Sequence, residues 1–206
     1  MKRRALIVAL SLAVLASLGA RANEANSSFD LPALSQQLQQ SERLHGQFIQ
    51  RRFLPGLAQP LQSQGRFVMD RELGLLWLIE QPWQLDLRLN QSGLAQQQDG
   101  QWLAVADNAA SAQFTRLFLS LLQGDHQQLT PLFDSQLHGN REQWQLTLQP
   151  RSLLLKQVFQ HIVVSGGNEI QQVTLLESQG DRSELLFSQQ QPNQPLSDSE
   201  RRALVP

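Results

Sequence analysis

The chain has 206 residues, with 17 lysines and arginines against 18 aspartates and glutamates, and no cysteine. Without cysteine there are no disulfides, no thiol catalysis and no lipid-modified cysteine at a leader cleavage site. The slightly acidic balance argues against a basic patch for nucleic acid.

Lys2, Arg3 and Arg4 precede an apolar run from Ala5 to Leu18 and then Ala20-Arg21-Ala22. Basic, apolar and small residues in that order read as a secretory signal peptide, residues 1–22, cleaved after Ala22. The run is short of the roughly 20 apolar residues that a spanning helix needs, and nothing later approaches that length. Its removal takes away four basic residues and no acidic ones, leaving an exported chain of net charge about −5. About 184 residues suffice for one domain held by its core alone. That domain is expected over 23–190, with a polar tail over 191–206.

In the mature chain Asp30 is placed to cap a helix with Pro32 in its first turn. Leu31, Leu34 and Leu38 form its apolar stripe, and Gly46 is expected to close it beyond Leu44. From Gly46 the period changes to two. Phe67 and Met69 share one face of a strand that begins at Gly65. Leu73, Leu75, Trp77 and Ile79 alternate with Gly74, Leu76, Leu78 and Glu80, so the next strand is apolar on both sides. Leu85, Leu87 and Leu89 then alternate with Asp86, Arg88 and Asn90. Asp99-Gly100 reads as a hairpin tip.

The stretch from Ala110 to Gln123 is greasier than a surface helix requires. Phe114, Leu117, Phe118, Leu121 and Leu122 make one wide helical stripe, with Thr115, Arg116, Ser120 and Gln123 left to face water. Asp107-Asn108 is a candidate cap, and Gly124-Asp125 an exit. Residues 126–140 read ambiguously. Strands resume with Trp144, Leu146 and Leu148, followed by 158–165, 170–177 and 184–188, separated by glycine turns. In the tail, Ser197 and Glu200 form a capping box for a short helix.

The expected fold class is mainly β with a few helices: a curved, incomplete antiparallel barrel whose convex side is wet. The N-terminal helix and the Ala110–Gln123 helix are the stretches greasy enough to fill the concave side, over a hydrophobic cavity. Its lining is expected from Phe67, Met69, Leu75, Trp77, Leu85, Leu87, Leu89, Trp144, Leu146 and Leu148. Alternation alone suits a plain core better than a cavity lining.

The series GRFVMDRELGLLWLIEQPW, then DGQWL, then the apolar helix and WQLTLQP, resembles the LolA lipoprotein-carrier family, over roughly Leu31 to Ser188. The resemblance is most specific between Gly65 and Trp102. Glu72 stands where the family usually has proline after arginine, and Leu76 replaces an aromatic, which suits a divergent branch. The resemblance implies a helical lid formed by Phe114, Leu117, Phe118, Leu121 and Leu122, and a cavity that shelters acyl chains. It also implies that Arg71 latches barrel to lid through backbone carbonyls.

By that resemblance the chain is a periplasmic carrier of acylated lipoprotein or lipid cargo. An inner-membrane exporter would be its donor and an outer-membrane protein its acceptor, and it would work as a monomer. The alternative is a lipid- or lipoprotein-sensing module of the same fold, a class expected to carry a second domain. No GxSxG elbow, HExxH, P-loop or dinucleotide motif is present. His45, His126, His138 and His161 lack metal-ligand spacing. Neither an enzyme nor a bound metal or cofactor is expected.

Overall fold

The computed structural model describes residues 29–105 and 109–205. The signal peptide and the Asp107-Asn108 cap fall outside them, as does the side chain of Phe114. Eleven strands form one antiparallel sheet: β1 (Arg43–Phe53), β2 (Leu61–Asp70), β3 (Gly74–Gln81), β4 (Leu85–Asn90), β5 (Gly93–Gln98), β6 (Gln101–Ala104), β7 (Phe133–Gly139), β8 (Trp144–Pro150), β9 (Phe159–Gly166), β10 (Ile170–Glu177) and β11 (Arg182–Pro192). Their spatial order is β6-β5-β4-β3-β2-β1-β11-β10-β9-β8-β7. Two meanders, β1 to β6 and β7 to β11, are thus stitched together where the first strand pairs with the last. The sheet does not close, because β6 and β7 are its two edges.

Among the described residues five helices accompany it: α1 (Leu31–Leu38), α2 (Ala109–Leu122), α3 (His126–Leu129), α4 (Leu153–Val158) and α5 (Asp198–Leu204). The chain leaves one edge at β6 and must reach the other at β7, and α2 and α3 make that passage. Connectivity therefore carries the greasiest helix from edge to edge. Within the first meander it packs against β4 and β5.

The main core lies on one face of the sheet. Phe48, Phe67, Met69, Leu75, Trp77 and Leu89 from the first meander join Trp144, Leu146, Leu148, Ile162, Val164, Val173 and Leu185 from the second, with Leu34, Leu38, Leu117 and Leu121 above them. One glycine makes room for an aromatic ring there, and a second lets β2 approach the β3 backbone. Gly46 pairs with Phe67 across β1 and β2, and a Cβ on Gly46 would sit 2.6 Å from the Phe67 ring. Gly65 pairs with Phe48, whose ring stacks on Trp77 at 3.7 Å between centroids.

Several expectations change here. Gly46 does not close α1; the helix ends at Leu38, and Gly46 lies inside β1, where it makes room for Phe67. The ambiguous stretch 126–140 resolves into α3, capped by Asp125, and edge strand β7. Thr115, expected to face water, is buried.

The convex side is not uniformly wet. Val68 and Leu76, which point away from Phe67 and Trp77, form a second cluster with Leu196 and Leu204. The stretch read as a polar tail thus carries a helix that packs on the sheet. Its capping box is present, with the Ser197 side chain bonded to the Glu200 amide and the Glu200 side chain returning to Ser197 N–H. Arg88 donates to the Ala203 and Val205 carbonyls, both at 3.2 Å, and Asn90 to that of Leu204, so the far end of α5 is satisfied as well. This explains why β3 is apolar on both sides. Leu204→Ala is expected to lower unfolding stability by about 2–5 kcal/mol, the usual cost of such a cavity. An unchanged urea midpoint would mean that α5 contributes nothing to the fold.

Candidate functional site

The concave face is covered by α1, α2 and α3, and what fastens them is polar. The Ser35 hydroxyl donates to the Gly124 carbonyl at 2.6 Å, joining α1 to the α2–α3 junction. The Gln37 amide donates to the Arg141 and Gly167 carbonyls at 2.9 and 2.7 Å, joining α1 to two turns of the second meander. Gly124 has φ of +64°, and a Cβ there would fall 2.8 Å from Leu38, so only glycine lets the two helices approach so closely.

Arg71, in the turn between β2 and β3, completes the attachment. Its Nη2 donates to the Leu38 carbonyl at 2.6 Å and its Nε to the Ser41 carbonyl at 2.9 Å. Leu38 is the last residue of α1, whose carbonyl an ending helix leaves without a partner, and Ser41 lies in the loop just beyond it. The guanidinium therefore holds α1, not α2 as the sequence reading had it. The Gln123 amide at the end of α2 reaches the backbone carbonyl of Arg71 at 3.4 Å, so α2 is tied to the same turn by its own side chain.

Glu169 sits beside this group and accepts from Ser41 Oγ at 2.5 Å. Burial pulls the Arg71 pKa down, against the raising influence of Glu169 and Asp125. Burial likewise pushes the Glu169 carboxyl up, and the Ser41 hydrogen bond and Arg71 offset this only in part.

Beneath the helices lie two hollows. The larger, about 30 Å³, is bounded by Leu34 and Leu121 above and by Phe133, Trp144, Leu146 and Leu148 below. The smaller, about 20 Å³, is bounded by Leu44, Phe67, Met69, Leu122 and Phe187, with Glu169 and Gln190 as its polar members. Ile170 lines both, so they adjoin. At roughly 10–15 Å³ for each water, they have room for a few waters and none for an alkyl chain. The helices are seated in this state.

The expected lining residues divide accordingly. Trp144, Leu146 and Leu148 line the larger hollow, and Phe67 and Met69 the smaller. Trp77 joins an aromatic group, edge-on to Phe118 of α2 at 6.0 Å and to Phe187 at 6.2 Å. Leu75, Leu87 and Leu89 pack in the main core away from the hollows, and Leu85 is half-buried opposite Ile79 at the start of β4. Leu117 is buried, while Leu121 and Leu122 reach one hollow each. Sequence reasoning passed over Leu129, Phe133, Val164, Phe187 and Glu169. Alternation within β9 and β11 marks Val164 and Phe187. Glu169 has no local signal, because its role depends on a turn meeting Ser41 and Arg71.

The family model described as "Outer membrane lipoprotein carrier protein LolA" matches residues 39–200. The chain belongs to the LolA family. That family is one of carriers, a fold that binds cargo. No curated protein matches the sequence. Among solved structures, a LolA superfamily protein from Nitrosomonas europaea is similar at 8% identity and a TM-score of 0.47, over 82% of this chain and 96% of that one. A DUF1329 family protein from Desulfovibrio piger has 12% identity and a TM-score of 0.46, over 85% and 97%. The MucA/MucB complex of Pseudomonas aeruginosa has 18% identity and a TM-score of 0.46, over 82% of this chain but 58% of that one.

A LolA-family chain with a raised Glu169 pKa has a definite pH signature. The folded state holds that proton more tightly than the unfolded chain does. The stability this contributes is complete below the ordinary glutamate value, about 4.3, and is lost as pH rises through the raised folded value. On acidification from neutrality toward that range, the parent should gain stability relative to Glu169→Gln. Urea midpoints that run parallel across the range would contradict the burial argument.

Proposed function

We propose that this chain is a periplasmic carrier, exported through the leader at residues 1–22. It would shelter the acyl chains of a lipoprotein or lipid between an inner-membrane exporter and an outer-membrane acceptor. One observation carries the reading. The concave face is apolar, and its helical cover is fastened by side-chain bonds to carbonyls, from Arg71, Ser35 and Gln37, with no strand pairing. Such a cover separates from the sheet without breaking a β-ladder.

Each exposed CH₂ of a lipid costs about 0.8 kcal/mol in water, so a long acyl chain needs an equivalent apolar shelter. The closed hollows do not supply it, and loading requires α1 and α2 to lift. An incoming chain then takes the place of Leu34, Leu38, Leu117, Leu121 and Leu122 against the sheet. Apolar contacts are exchanged for apolar contacts, which keeps the loaded and empty states close in free energy. A carrier that must release its cargo needs that balance. Arg71 acts as the latch on α1 and, through its carbonyl, as an anchor for α2. Phe67, Met69, Trp77, Trp144, Leu146 and Leu148 form the floor on which the chain lies.

Native mass spectrometry of the mature protein, mixed with a triacylated peptide or free palmitate, is expected to reveal a bound adduct. Ser135→Leu, which projects an apolar side chain into the larger hollow, should reduce uptake while leaving the melting temperature unchanged or higher. A protein that takes up neither ligand, or a variant that loads normally, would sink the carrier reading.

A further inference from the structure

The rim of the sheet opposite Arg71 bears apolar side chains that the described residues leave uncovered. It consists of the β3–β4 turn, the β1–β2 loop, the β10–β11 turn and α4, as the register places them: Gln64 opposite Gln81, Arg52 opposite Leu61, Phe53 opposite Arg182 and Glu177 opposite Phe159. Trp83 on the first turn is 75% exposed, and Leu57 and Leu61 flanking the second are more than half exposed. On α4, Leu153 is 80% exposed and Leu154 more than half, while Leu155 is the residue that anchors the helix to the core.

We infer that this rim docks on an anionic bilayer surface. Trp83 and α4 are separated by six strand positions, roughly 29 Å along the sheet at about 4.8 Å each. The apolar side chains are thus set out in small groups along a rim and do not gather into one patch. A rigid partner would need a matching pocket for each, whereas a fluid headgroup layer accepts them wherever they stand. Tryptophan and leucine on short amphipathic elements are the residues that enter that layer.

The charge at α4 points the same way. Between Glu142 and Glu169 the sequence holds Arg151 and Lys156 and no acid. Arg151 is paired with Asp134, and Lys156 has no ion-pair partner among the described residues. The nearby carboxylates are matched in number: Glu177 and Asp181 share Arg52, with Arg51 beside it on β1, while Glu184 pairs with Arg182 and Glu80 with Arg66. Asp86 and Asp99 lie toward the β6 edge, away from α4. The chain is acidic overall, yet this corner offers an ammonium without an ion-pair partner among the described residues beside the exposed Leu153, Leu154 and Val158, which suits anionic lipid.

The test is co-sedimentation of the mature protein with phosphatidylcholine vesicles, with and without phosphatidylglycerol, at low and high salt. The parent is expected to bind the phosphatidylglycerol vesicles, more weakly in salt, with a blue shift in tryptophan emission. The double variant Leu153→Ser/Leu154→Ser should bind at least about tenfold more weakly, and Trp83→Ser should lose most of the blue shift. Both should keep the parent's circular dichroism, since the altered side chains are exposed. Absence of vesicle binding, or binding equal in parent and both variants, would overturn the inference. So would a concentration-dependent rise in mass abolished by the same variants, which would make the rim a contact between copies.

Discussion

A helix that ends against a sheet leaves carbonyls without partners in a place that water reaches poorly, and the structure depends on how that need is met. Arg71 meets it on the concave side by donating to Leu38, and holds the loop beyond through Ser41. Arg88 meets it on the convex side by donating to Ala203 and Val205. Both arginines come from the first meander, and each holds a helix that the sheet itself does not pair with. The sheet is the frame, and each cover hangs on one guanidinium and a few amide or hydroxyl contacts.

The two covers nevertheless differ in kind. Leu204 of α5 is fully buried in one cluster with Val68 and Leu76. On the concave side α1, α2 and α3 leave two adjoining hollows, and a half-buried carboxylate stands beside the fastening arginine. That juxtaposition places cost and benefit close together: burial disfavours the charges of Arg71 and Glu169, while their proximity favours both. In the carrier function we propose, the concave cover is the one that parts from the sheet.

Much of this was legible because burial in a one-sided sheet writes itself as alternation. Phe67, Met69, Trp77, Leu146 and Leu148 were readable from period two alone, and the β3 residues Leu75 and Leu76 announced two buried faces. The wide stripe of α2 was readable as well. What escaped depends on partners distant in sequence. Gly46 looks like a helix stop until Phe67 is seen lying across it. Thr115 looks solvent-facing in the helical stripe, yet the fold buries it. Arg71 bonds α1 because α1 ends at Leu38, a boundary that helical periodicity through Leu44 concealed. The family resemblance supplied the arginine's kind of partner, backbone carbonyls, but not which helix provides them.

The central claim is that cargo enters by lifting α1 and α2 off an otherwise unchanged sheet. Hydrogen exchange followed by mass spectrometry, with and without saturating palmitate, addresses it directly. The account predicts faster exchange on loading in residues 31–38 and 109–122, while β1 and β11, which stitch the two meanders, keep their protection. Slower exchange in those helices on loading, or faster exchange spread evenly through the sheet, would contradict it.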